Sequence, residues 1–497
     1  MQQKMIKAKP CVTQETDLDE DFIKQAIKKR TKESKLPKIL TSKLYLLFRF
    51  PYKFSSMSQL EKIKLDFADF GNVPKKVAIG LANGIRNLHR LKNLKITGLE
   101  CSRLNDCLLL LLTEGIGKLQ SLEKLHVDLK NLDHIGSTGF EGILLMLAKL
   151  QKLRKLHLDI SGLTFKSELI AKLGLFIARL KKLESVHLSL PGCRSIDDDI
   201  ILQIMNSLVK AKELKELCLD FLKRNRTTVA SSSHIIQKIS SFSKLCKLNI
   251  SFSNHFSQKE LFELCNEISK MSQLSTIKLD LSGCRTIEGS ELSYLQKGLV
   301  ALKDIKKLKI NLFWGNNTIL LHLSNMLMKM NRLTKLELIF QSSGQINDNG
   351  LACLNKAIYK LPELKYLGIY LNGCDQITDS GLGQLSVVIS KLNQLKYLNI
   401  GLSWSHCISE LGLKQLSIAI SRLPSLSKMS LNLKGSRNLA NEGLAKLSKS
   451  LTKMKALRYL DLNFSWCQLL TMEATEKFKN EIMKLKLDDP KVDFACI

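Results

Sequence analysis

The chain has 497 residues, 44% of them hydrophobic and 25% charged, with a formal net charge of +30 and a sequence pI near 9.6. That apolar share excludes a disordered chain, and the most apolar run, Cys107–Leu112, is far shorter than the ~20 residues of a membrane-spanning helix. The positive surplus suits an anionic partner (nucleic acid, a membrane surface or an acidic protein) or a basic surface that is merely solvated.

Residues 1–59 read as an N-terminal basic segment and cap. The start, MQQKMIKAKP, is charged and lacks an apolar core, so no signal peptide is expected. The stretch DEDFIKQAIKKRTKE predicts a helix. Inside it Lys28–Lys32 (KKRTK) has the composition of a nuclear-import tag, or of a chance cluster in a basic chain. An apolar segment follows from Leu36 to Phe50.

From Leu60 one phrase returns, mostly at thirty-one-residue steps, on Leu60, Leu91, Leu122, Leu153, Leu183, Leu214, Leu245, Leu274, Ile305, Leu333, Leu364, Leu395, Leu426 and Leu457. Apolar residues stand three and five places after each anchor, and nearly always seven. Such a period predicts a solenoid, whose core grows linearly and need not split into domains. The unit 364–394 shows its build. Leu364, Leu367, Ile369 and Leu371 alternate with polar residues, which predicts a strand. After a turn at Asn372-Gly373-Cys374, Ile377 returns to the core. Thr378 or Asp379 then caps a helix carrying Leu382, Leu385, Ile389 and Leu392. Each unit is therefore one β-α pair, and successive strands are parallel. The expected fold is an α/β solenoid of about fourteen β-α repeats over 60–487, with one parallel sheet running unbroken from Leu60 to Phe464. At roughly 4.8 Å per strand the inner arc spans about 65 Å. Residues 488–497 read as a short, loose tail.

These units resemble leucine-rich repeats of the ribonuclease-inhibitor-like type. Cys374-Asp-Gln-Ile377-Thr-Asp-Ser-Gly381-Leu382 is similar to the cysteine-containing subtype. Cys193–Ile196 and Cys284–Ile287 echo its start, and Gly350-Leu351, Gly412-Leu413 and Gly443-Leu444 its end. The array also resembles the long lysine-rich arrays of ciliates. It departs from the subtype by about two extra residues between strand and cysteine. The resemblance implies a horseshoe with strands on the concave face and helices on the convex face. The fold alone names no function.

Side chains alternate along a strand, so places two, four and six after each anchor face the concave side. The second place is rich in lysine, including Lys124 and Lys155, until tyrosine takes over at Tyr366, Tyr397 and Tyr459. The fourth carries lysines and a run of His126, His157 and His187. The sixth is mostly Asp or Asn, with Tyr370 beside the other tyrosines. Two readings are open: basic and acidic lanes that neutralise one another, or a partner-binding face anchored by Tyr366, Tyr370, Tyr397 and Tyr459. The histidines could form a pH-sensitive patch; a metal site is not expected. Cations four places before most anchors, such as Lys149, Arg179, Lys391 and Lys453, suit helix C-termini. The ninth place alternates Gly283, Trp314, Gly373, Trp404, Gly435 and Trp466, consistent with each Trp leaning over the Gly of the next coil. Lys223–His234 reads as a polar loop.

No phosphate loop, zinc-protease motif or nucleophile elbow occurs, so catalysis and cofactors are not expected. Thirteen scattered cysteines without a C-x-x-C pair suggest packed thiols in a reducing cytoplasmic or nuclear setting. The expected role is a non-catalytic scaffold that binds a protein partner on its concave face. Two alternatives are an F-box-like ubiquitin-ligase substrate adaptor, suggested by LPKIL at Leu36–Leu40, and a basic RNA- or ribonucleoprotein-associated repeat protein. Any nucleic-acid binding should be weak and electrostatic.

Overall fold

The computed structural model describes residues 39–43, 59–67, 75–98, 104–193, 196–220, 229–252, 256–282, 284, 292–312, 315–341, 344–488 and 490–495. Strand β1 (Ile39–Lys43) pairs in parallel with β2 (Lys62–Asp66), and pairing continues in chain order through β15 (Tyr459–Asn463) to β16 (Lys491–Asp493). From β2 onward a helix separates each strand from the next, beginning with α1 (Lys75–Arg86) and ending with α14 (Met472–Met483). The period of the sequence explains this order. Each anchor leucine and the apolar residues after it are buried, while the residues between them face away: in β4 (Lys124–Asp128), Leu125 and Val127 are buried, Lys124 is exposed, and His126 and Asp128 are intermediate. The inward side chains join one core along the array. Stacking is the only way a β-α unit of this size can hide its apolar face.

The sheet runs unbroken through the short unit at Ile305, where β10 (Lys307–Leu312) pairs with β11 (Lys335–Gln341) in register. It is longer than expected at both ends. β1 lies within the segment assigned to the N-terminal cap, and Ile39 and Leu40 of LPKIL belong to it. The import-tag residues Lys28–Lys32 lie outside the described residues. At the other end the tail is not loose. β16 pairs with β15, and the Phe494 ring stacks on Phe464 at 5.5 Å and meets Phe478 edge-on at 5.9 Å. The reason is physical: the last coil would otherwise leave Phe464 and Phe478 open to water. The basic loop is also shorter than expected, because α6 (Val229–Ile239) takes up Val229 to His234; residues 221–228 lie outside the described residues.

Two devices tie one coil to the next. The first is a ladder at the helix N-termini. Thr378 caps α11 (Asp379–Ile389) through its side chain. Asp379, the other candidate cap, instead reaches the following coil, where its carboxylate accepts from the Ser409 N–H at 2.9 Å and the Gly412 N–H at 2.9 Å. Asp348 at the start of α10 (Asp348–Tyr359) does the same to Thr378. The Gly-Leu signature follows from this: a Cβ at Gly381 would collide with the Asp348 carboxylate, and one at Gly412 with that of Asp379. The second device is the buried cysteine. The Cys193 thiol donates to the Ile160 carbonyl at 3.2 Å and Cys467 to Leu433 at 3.2 Å. Burial pushes Cys193 up to about 12 and Cys467 to about 11, so these thiols are packing groups and weak nucleophiles.

No described helix is long and apolar enough to cross a membrane.

Candidate functional site

The strand register lines up the outward side chains in rows across the sheet, and each row has its own chemistry. The row nearest the strand ends is mostly Asp or Asn, and several of its carboxylates and amides are occupied locally. Asp159 accepts from the Ser161 N–H at 3.0 Å, Asp280 from Ser282 at 3.0 Å, Asn432 from Lys434 at 3.0 Å and Asn463 from Ser465 at 3.0 Å. These side chains fix the turn that leaves the strand. They do not form a regular lattice with the lysines. The ion pairs found among the outward side chains of the described strands are Lys64–Asp66 at 2.7 Å, Lys247–Glu216 at 3.5 Å, Lys309–Glu337 at 2.7 Å and Lys335–Glu337 at 3.5 Å. Mutual neutralisation is therefore partial, and much of the lysine charge is left for solvent or a ligand.

Lys124 and Lys155 stand opposite one another on adjoining strands, both exposed. In the next row His126, His157 and His187 are also aligned by register. The rings of His126 and His157 stack at 3.9 Å and 11°, and those of His157 and His187 lie 3.9 Å apart at 46°. Burial, reinforced by Lys95 and His187, pushes His126 down to about 4. Burial and the two neighbouring histidines push His157 to about 3. Burial also lowers His187. All three are neutral at pH 7. His126 and His157 hold their in-plane nitrogen lone pairs in near-parallel planes, so those lone pairs do not converge on one point. Among the described residues no three His, Cys, Asp or Glu side chains form a metal-holding group.

The tyrosines fall in the C-terminal part of the same face and are brought together. Tyr366 on β12 (Tyr366–Asn372), Tyr397 on β13 (Tyr397–Gly401) and Tyr459 on β15 share a row with Lys335 and with Lys428 of β14 (Lys428–Asn432). The Lys335 ammonium lies 3.6 Å from the Tyr366 ring centre, and Lys428 lies 3.8 Å from Tyr459 and 5.6 Å from Tyr397. Tyr366 and Tyr397 are 6.0 Å apart at 30°. The result is a column in the order Lys335, Tyr366, Tyr397, Lys428 and Tyr459, its cation–ring contacts of the kind worth about 0.5–1 kcal/mol at exposed sites. Asn399 donates to the hydroxyls of Tyr366 at 2.9 Å and Tyr370 at 3.3 Å. Tyr366 and Tyr370 are half-buried, whereas Tyr397 is 37% and Tyr459 44% exposed. Burial raises the Tyr366 phenol well above its ordinary range.

Several residues of this arrangement were not singled out from sequence. Asn399 clamps two tyrosines. Gly368 and Gly401 make room for them: a Cβ at Gly401 would lie 2.8 Å from Tyr370 Cδ1. Glu337, 8% exposed, gathers Lys309 and Lys335. The available signal was a glycine at an outward strand position beside a bulky ring, where a β-former is the usual choice.

Between the histidines and the tyrosines lies a groove of about 330 Å³, lined by Lys247, Lys278, Lys307, Lys309 and Lys335 with Glu216 and Asn249. A second groove, about 310 Å³, holds Lys124, Lys155 and the three histidines, and shares His187, Glu216 and Cys218 with the first.

No protein-family model and no curated protein sequence matches the chain. Solved structures do. The chain in the crystal structure of the Rad7 and Elc1 complex in yeast superposes with a TM-score of 0.51 at 17% identity, over 96% of this chain and 98% of that one. A chain of the TLR13–ssRNA13 complex is more distant, with a TM-score of 0.41 at 16% identity, covering 89% of this chain and 57% of its own length. The Rad7 likeness is one of fold. Together with the unbroken run of parallel strands and outer helices, it establishes an α/β leucine-rich repeat solenoid.

Proposed function

We propose that the chain is a non-catalytic scaffold that seats a protein partner on its concave face, with Tyr366, Tyr370, Tyr397 and Tyr459 as its anchors. Lys124, Lys155, His126, His157 and His187 form the flanking contact region. The observation that carries this reading is the state of the tyrosine column. Its rings are held by Lys335, Lys428 and Asn399 before any partner arrives, so little ordering entropy remains to be lost on binding. Tyr397 and Tyr459 are the outermost members and the best placed to insert into a partner. A chain of the same fold, Rad7, is found in complex with another protein, Elc1. No observation on the described face favours the ubiquitin-ligase adaptor or the ribonucleoprotein role over this one.

Truncating an interface anchor typically costs about 2 kcal/mol or more. The pair Tyr397→Ala and Tyr459→Ala should therefore sharply reduce recovery of the proteins that the wild-type chain retains, measured by mass spectrometry at two salt concentrations. Undiminished recovery by a variant with a wild-type melting curve would remove the tyrosines from the account.

A further inference from the structure

The lysine groove between the histidines and the tyrosines has a composition that sheet stability does not require. Lys278 of β9 (Thr276–Asp280) stands directly opposite Lys309, and Lys307 directly opposite Lys335. Like charges facing one another on neighbouring strands are destabilising. A single carboxylate, Glu337, serves both Lys309 and Lys335. Among the described residues, Lys278 and Lys307 have no ion-pair partner, and the turn-forming Asp280 already accepts from the Ser282 backbone and the Asn311 amide. The chain thus holds two pairs of facing cations over a concave groove with too few anions to balance them.

We propose that this groove binds an acidic polypeptide segment, whose Asp and Glu side chains pair with Lys278, Lys307 and Lys309. The inference rests on the concave face being the working surface and adds the chemistry of what lies there. A peptide fits better than a nucleic acid for two reasons. A groove of about 330 Å³ takes a few side chains and cannot take a duplex. Single strands are held largely by stacking their bases on aromatic faces, and no Phe, Tyr or Trp stands among the described residues that line this groove. Cations without such rings beside them read charge, and an acidic peptide supplies it.

The test uses the full chain and two labelled probes, an oligoglutamate peptide and an oligothymidylate of equal charge. Binding is followed by fluorescence anisotropy in about 100 mM salt, where the screening length is still about 10 Å. Lys278→Gln with Lys307→Gln should weaken peptide binding about tenfold, because two charge contacts are removed from the groove. Lys391→Gln with Lys453→Gln, an equal loss of charge at the helix C-termini, should change it less than about twofold. The groove variant should also melt no lower than wild type, since it removes facing like charges; this separates lost binding from lost fold. Equal weakening by both pairs would overturn the proposal, because the peptide would then be reading net charge alone. So would tighter binding of oligothymidylate through the same two lysines, which would assign the groove to nucleic acid. Neither result touches the tyrosine anchors, which are tested separately by partner recovery.

Discussion

Among the described residues, the ninth place after an anchor turns the chain through the left-handed region, Asn131 included. Gly162, Gly192, Gly373 and Gly435 have φ between 70° and 80°, and Trp404 and Trp466 have φ of 59° and 63°. A side chain in this region costs roughly 1–2 kcal/mol. Trp404 offsets this by lying across Gly435, the small-beside-large arrangement that the alternation implied. Gly435→Ala would strain the backbone and drive a methyl into the Trp404 ring, so a loss of about 2 kcal/mol is expected. Gly344→Ala, with open space around it and no positive φ, should stay within about 0.5 kcal/mol; urea midpoints measure both. The histidine stack makes a second prediction at this scale. His126 and His157 are held at about 4 and about 3 against the ordinary histidine value of 6.5. Between those values the unfolded chain binds protons that the folded chain refuses. The stack's contribution is therefore fully present above pH 6.5 and drains away as pH falls towards 4 and then 3. The groups in its field, Lys95, Lys278, Asp159, Asp220 and Glu216, are common to wild type and variant. His157→Asn should flatten the fall in stability between pH 7 and pH 4.5; an unchanged slope would mean that the stack does not resist protonation.

At the scale of the elements, period and register were legible while the ends and the clamps were not. Alternation after each anchor located the strands, because a buried face imposes a two-residue period that a helix would scramble. The ladder role of Asp379 was hidden, since a helix-capping residue and a coil-to-coil ladder look alike in one sequence; Gly381 and Gly412 betray the carboxylates of Asp348 and Asp379 beside them. The C-terminal closure was missed for a related reason. Lys491–Asp493 is too short to show a period, and Phe494 gains meaning only beside Phe464 and Phe478. In a stacked array each unit contacts only its neighbours, so an end lesion stays local. Phe494→Ala should raise amide hydrogen exchange in β15 and α14 and leave the strands near the histidines unchanged. Uniform deprotection along the array would contradict a closing role for the tail.

Over the whole molecule, the outward rows divide the concave face into a histidine region, a lysine groove and a tyrosine column. The residue types of all three were readable from sequence. What they touch was not, because cation–ring contacts, ring stacks and facing lysines arise between residues roughly thirty positions apart. The acidic row shows the limit most clearly. In sequence it resembled a counter-charge for the lysines, yet Asp159 and Asp280 bind their own turns. That leaves the face basic, and weak nucleic-acid association of about 10⁻⁴–10⁻⁶ M, falling steeply with salt, is the most that charge alone should produce. The central claim is that a protein docks against the tyrosine column and not the outer helices. Site-specific photo-crosslinking tests it most directly, with benzoylphenylalanine placed at Tyr397 on the concave face or at Val387, an exposed residue on α11. The account predicts a discrete crosslinked partner from position 397 and none from 387; crosslinks from 387 with none from 397 would place the binding surface on the convex side and contradict it.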